Sequence, residues 1–181
     1  AILNEGESYP EGMRQRLAKG AGVDAQHFYL FTTHNHQSFK YLSEREIGLL
    51  ERAVAGAVEN LKPCTYGLAE YTSDIGVNRR PRYVVAEHLP YDNRLLILKL
   101  AAADTGEPIA VIFNYPVHNT AFGTTRPDNW HYMTSELTGF AALKTEEFYM
   151  KRGVPLTAFH FNGFYGAAGP NFDGHFTAEH A

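Results

Sequence analysis

The stretch Phe28–Phe39, FYLFTTHNHQSF, constrains the fold of this chain more than any other. His27–Thr33 has the aromatic and β-branched content of a strand and almost no alternation, which predicts burial on both faces in a parallel or mixed sheet covered by helices. The run ends in His34-Asn35-His36. In extended chain residues i and i+2 share a face, so both imidazoles can aim at one point. Histidine is the commonest zinc ligand, and three protein ligands with one open position make a catalytic centre. The same pair also suits a solvated loop after a buried strand, since so short a spacing arises by accident.

A second apolar run repeats the pattern. Arg94–Ala101 and Pro108–Val117 read as two strands joined by the turn ADTGE, in which Asp104 and Gly106 supply the loop chemistry. The second of them, IAVIFNYPV, delivers His118 at its carboxyl end, where ligand sites of α/β sheets lie. Two apolar runs that each deliver histidine point to one metal around which His34, His36 and His118 gather.

Three helices and four further strand or loop segments complete the reading. Ser8–Gly20 reads as a first helix with Met13 and Leu17 on its inner face. Ser43 and Glu46 form a capping box ahead of Ile47, Leu50, Val54, Ala57, Val58 and Leu61 at helical spacing, ended by Pro63. Thr134–Arg152 is the third helix, capped by Thr134, with Leu137, Phe140 and Ala141 inward and Lys151, Arg152 and Gly153 at its end. Lys62–Thr72 and Pro155–Phe161 are strands, and Asn162–Gly174 is a glycine-rich loop whose amides suit an anion. The polar loop Ser73–Tyr83 carries Arg79 and Arg80, whose guanidinium forks can bind a carboxylate or an oxyanion, although arginines on a surface loop are commonplace. The predicted class is α/β: a mixed sheet with helices packed on it and a metal site at strand carboxyl ends.

Composition narrows the function classes. With 181 residues, 44% of them hydrophobic and 20% charged, the chain can bury a core, and residues 1–181 are expected to form a single domain. A net charge of −4 gives no footprint for nucleic acid. No apolar run reaches membrane-span length, and ILNEGESYPEG has neither the basic nor the apolar part of a secretion signal. The single cysteine, Cys64, rules out an internal disulfide and a cysteine-based zinc site, so a metal here needs histidine and carboxylate ligands.

The ordered blocks EGMRQRLAKGAGVDAQHFYLFTTHNHQS, GVNRRPRY, YDNRLLILKLAAADTGEPIAVIFNYPVHNTAF, MTSELTGFAA and GAAG resemble the catalytic domain of neutral/alkaline ceramidases over Glu11 to about Asn171. The resemblance implies that His34, matching the first histidine of a THTH motif, and His118, matching the histidine after a VNFAVHPT-like strand, bind Zn2+. It implies that His36 is the catalytic histidine beside the metal and that Arg79, matching the arginine of an INR motif, lines the site. It further implies a small-molecule or lipid amide substrate, in the family an N-acyl sphingoid met at a membrane surface. An extracytoplasmic or secreted setting, and a place within a larger ceramidase-like catalytic domain, follow from the same likeness.

The departures from the family are specific. The family follows GAAG with a segment such as Asp-Val-Ser-Pro-Asn whose serine is the proposed nucleophile, whereas this chain reads Gly169-Pro170-Asn171, so no nucleophile transfers. Glu136 stands where the family has an aspartate, and the family's glutamate and tyrosine zinc ligands come from farther downstream. The expected chemistry is zinc-dependent amide hydrolysis with His36 as acid and base and Arg79 on developing negative charge. Its rivals are a related metal-dependent hydrolase of another amide or ester, and a non-catalytic fragment with a vestigial metal site.

Overall fold

A computed structural model describes residues 10, 12–36, 42–78, 91–121, 134–166 and 168–170. The core of the fold is a four-stranded mixed sheet in the order β1-β3-β4-β5. β1 (Cys64–Thr72), β3 (Arg94–Ala102) and β4 (Pro108–Tyr115) are antiparallel, and β5 (Thr157–Asn162) runs parallel to β4. Joining parallel neighbours requires a crossover, and α3 (Glu136–Met150) supplies it and packs on β5. The α/β class and the mixed sheet agree with the sequence reading.

The β3–β4 hairpin follows from its turn, where Gly106 takes φ +72 and its N–H donates to the Ala102 carbonyl at 2.9 Å. At the far end of β4 the buried Tyr115 hydroxyl accepts from Gly76 N–H at 3.0 Å and donates to the Ser73 carbonyl at 2.8 Å. That pins β2 (Gly76–Asn78) beside the sheet, where it pairs antiparallel with β6 (Ala168–Pro170). The sequence reading placed residues 168–170 in an open glycine-rich loop. They form a strand instead, because β2 lies alongside to complete their backbone bonds.

α1 (Met13–Ala21) and α2 (Glu44–Glu59) form a separate pair around Met13, Leu17 and Ile47, as the helical spacing predicted. The capping box at α2 is present: the Ser43 backbone N–H donates to the Glu46 carboxylate at 2.9 Å, and the Ser43 hydroxyl bonds the same oxygen. These bonds hold the Glu46 pKa below the usual carboxylate range. α3 begins two residues later than expected, at Glu136. Thr134 still helps its start, accepting from Glu136 N–H through its hydroxyl at 3.3 Å.

The expected strand His27–Thr33 does not form. Ala25–His27 is a short 3-10 turn, and the chain that follows is extended but has no strand partner among the described residues. Phe28 and Leu30 turn toward the α1–α2 core, while Tyr29 and Phe31 are 71% and 60% exposed. The segment therefore alternates in burial although its residue types do not, because aromatic rings tolerate the outer side; Phe31 rests there on Phe161 at 4.9 Å between ring centres. Histidine 34 thus follows an extended segment and not a sheet strand.

Candidate metal centre

Side-chain amides hold this extended segment in place of a backbone ladder. Asn162 Nδ2 donates to the Thr32 carbonyl at 2.7 Å, Asn119 Nδ2 donates to the Thr33 carbonyl at 2.5 Å, and Asn35 Nδ2 donates to the Thr134 carbonyl. The chain then turns at His34, which has φ +47 in the left-handed region. For a residue with a Cβ this backbone costs roughly 1–2 kcal/mol and persists only where its surroundings fix it. The turn swings the His34 and His36 rings together, so their Nε2 atoms lie 3.0 Å apart.

His118 arrives from the sheet. It lies three residues beyond Tyr115, the last residue of β4, and its backbone N–H donates to the Ala168 carbonyl of β6 at 3.0 Å. Its Nδ1 donates to the Tyr165 carbonyl at 3.2 Å, which assigns the proton to Nδ1 and leaves the Nε2 lone pair facing the other rings. His118 Nε2 sits 3.0 Å from His34 Nε2. Tyr165 closes the back of the cluster, its ring centre 4.6 Å from that of His34 and 5.2 Å from that of His118.

Three ligand-capable nitrogens, from His34, His36 and His118, thereby lie within 4.8 Å of one another. His118 is buried, His34 half-buried and His36 exposed, so the group has a protein-facing side and a solvent-facing side. Nitrogens bound to one tetrahedral zinc at about 2.0–2.1 Å stand about 3.4 Å apart. The two 3.0 Å spacings that His34 makes, to His36 and to His118, lie within a few tenths of an ångström of that value. The donor chemistry fits zinc, since neutral imidazole is a common ligand and an open side suits catalysis.

Sequence reasoning brought His34, His36 and His118 to one place, and the structure does so as well. Arg79 lies outside the described residues; Asn78 before it pairs with Ala168, whose carbonyl holds the His118 backbone. The asparagines and Tyr165 went unassigned. The signal available for two of the asparagines was that Asn35 and Asn119 each adjoin a candidate ligand. Glu136 proves to be fully buried at the start of α3, with φ +54. An apolar groove of about 380 Å³ runs between sheet and α3, lined in part by Ile97, Phe113, Val117, Leu137 and Tyr149. Val117 immediately precedes His118, and Leu137 immediately follows Glu136.

Fold and site together define an α/β domain with a three-histidine group able to hold a metal ion. Two solved structures share this fold. The crystal structure of neutral ceramidase from Pseudomonas aeruginosa matches 90% of this chain at a TM-score of 0.63 and 17% identity. A structure described as ceramidase complexed with C2 matches 88% of it at 0.65 and 17% identity. The chain spans 30% and 29% of the lengths of those two proteins. No family model and no curated sequence relative matches it. Among the described residues, no helix is long and apolar enough to cross a membrane.

Proposed function

We propose that this protein is a zinc-dependent, ceramidase-like amide hydrolase acting on an N-acyl bond. The observation that carries the reading is the convergence of three imidazole nitrogens within 4.8 Å, two of them 3.0 Å apart and one locked by its Nδ1 bond to Tyr165. A metal ion seated among these nitrogens would take their lone pairs in place of the N···N contacts that His34 makes with His36 and His118. The likeness in fold to neutral ceramidase supports the reaction class.

A zinc ion held there would supply Lewis acidity, for polarising an acyl carbonyl and making water a nucleophile at neutral pH. His34 and His118 would hold the ion, and the Tyr165 carbonyl keeps His118 in the tautomer that presents Nε2. His36, on the exposed side, takes a proton from the attacking water and returns it to the leaving amine. Arg79 holds the developing oxyanion or the substrate head group. No serine enters this scheme. The 3.0 Å spacing of His36 from His34 favours a second reading as well, in which His36 is a third ligand and proton transfer falls to another group.

The test is hydrolysis of N-acyl sphingosine and of N-acyl amino acids by the zinc-loaded protein, followed as release of free fatty acid. Chelator-sensitive release from N-acyl sphingosine supports the ceramidase-like reading. Release only from the amino-acid substrates replaces it with a different amidase, and release from neither removes the hydrolase reading.

A further inference from the structure

The His-x-His segment has no sheet ladder to fix it, yet the metal reading requires its rings to meet a histidine from a different element. One bond links the two arms directly. Asn119, the residue after His118, reaches Thr33, the residue before His34, through Nδ2 at 2.5 Å. Asn119 is 1% exposed. A second amide, Asn162, holds the neighbouring Thr32 carbonyl from the end of β5, and a third, Asn35, ties the far side of His34 to the start of α3. The left-handed turn at His34 is therefore gripped on both sides by backbone anchors that come from different parts of the fold.

We propose that Asn119 is a positioning residue of the metal centre, setting the spacing of His118 to His34, with Asn162 steadying the same segment one residue earlier. The inference rests on the metal reading given above. Its chemistry lies in the amide N–H: the side-chain oxygens of Asn119 and Asn162 are buried with no hydrogen-bond partner among the described residues, so the donor end does the holding. A backbone carbonyl needs a donor, and an asparagine amide supplies one without the charge that a lysine would bring into a buried position. Asn114 offers an internal contrast. Its amide donates to the Phe161 carbonyl at 2.9 Å, within the same sheet but with no bond to the histidine segment.

The experiment measures zinc affinity by chelator competition, and the visible absorption of the Co2+-loaded protein, in wild type, Asn119→Leu, Asn162→Ala and Asn114→Ala. Loss of a group that orients a ligand lowers metal affinity by about ten- to a hundredfold. Asn119→Leu should show that fall together with a changed Co2+ spectrum, while Asn114→Ala keeps both, which a general loss of sheet stability would not reproduce. Wild-type affinity and an unchanged spectrum in Asn119→Leu overturn the proposal. Should Asn119→Leu fail to fold by circular dichroism, Asn162→Ala decides: a fall of more than about twofold supports the clamp, and affinity within that range overturns it. A wild type that takes up neither zinc nor cobalt overturns the metal reading itself, and the clamp with it.

Discussion

His34 and His118, 84 residues apart in sequence, bring their Nε2 atoms to 3.0 Å from each other. One ring comes off an extended segment held by asparagine amides and the other off the end of a sheet strand. Their meeting is therefore a property of the tertiary fold, and substitutions that loosen either arm should be read first in metal binding.

The role of His36 is separable from that of its neighbours. His36→Ala should leave zinc content near wild type and lower turnover by on the order of 10²-fold or more, the usual worth of a positioned proton-transfer group. Metal content and rate are to be measured on one preparation. Loss of the metal along with activity would make His36 a ligand.

Tyr115→Phe tests how the sheet supports the site. The variant deletes the hydroxyl that accepts from Gly76 and donates to Ser73, leaving a buried N–H and a carbonyl without their partner. The expected cost is about 1–3 kcal/mol in chemical denaturation. Because Gly76 belongs to the strand paired with β6, and Ala168 of β6 holds the His118 backbone, zinc affinity should weaken as well. Unchanged stability would show that the hydroxyl contributes nothing.

Acid should expose His160. Burial lowers its pKa from 6.5 to about 4, against the opposing bond from its Nε2 to the Tyr115 carbonyl at 2.9 Å. The folded protein keeps this ring neutral where the unfolded chain takes up a proton, so stability falls as pH drops below about 6.5 and levels off below about 4. The difference between those two values corresponds to about 3 kcal/mol. Urea denaturation across that window should show the loss in wild type and not in His160→Gln. Parallel pH curves for the two proteins would contradict it.

Much of the fold was legible because its elements carry local signals. The Ser43–Glu46 capping box, the Gly106 turn and the Gly153 helix end each rest on residues close in sequence, and each lies where the chain itself predicts. His27–Thr33 was misread because residue type reports apolarity and not which side of an extended chain meets a core: Phe28 and Leu30 do so, and Tyr29 and Phe31 do not. The pairing of residues 76–78 with residues 168–170 depends on a tyrosine hydroxyl from β4, which no local pattern announces. Within the site, His34 and His118 were visible because each ends an apolar run. Asn119 and Asn162 were not, since an asparagine beside a loop looks the same whether its amide meets water or a distant carbonyl.

The most direct test of the account is the zinc content of the purified protein after loading and removal of loosely held metal, compared among wild type, His34→Ala and His118→Ala. The account predicts about one equivalent per chain in wild type and close to none in either variant. Zinc bound only in the folded state should also raise stability by roughly 2.7 kcal/mol at a hundredfold excess over its dissociation constant, seen as a shift in the melting curve of wild type alone. A wild type that retains no zinc, or variants that retain as much as wild type, would contradict it.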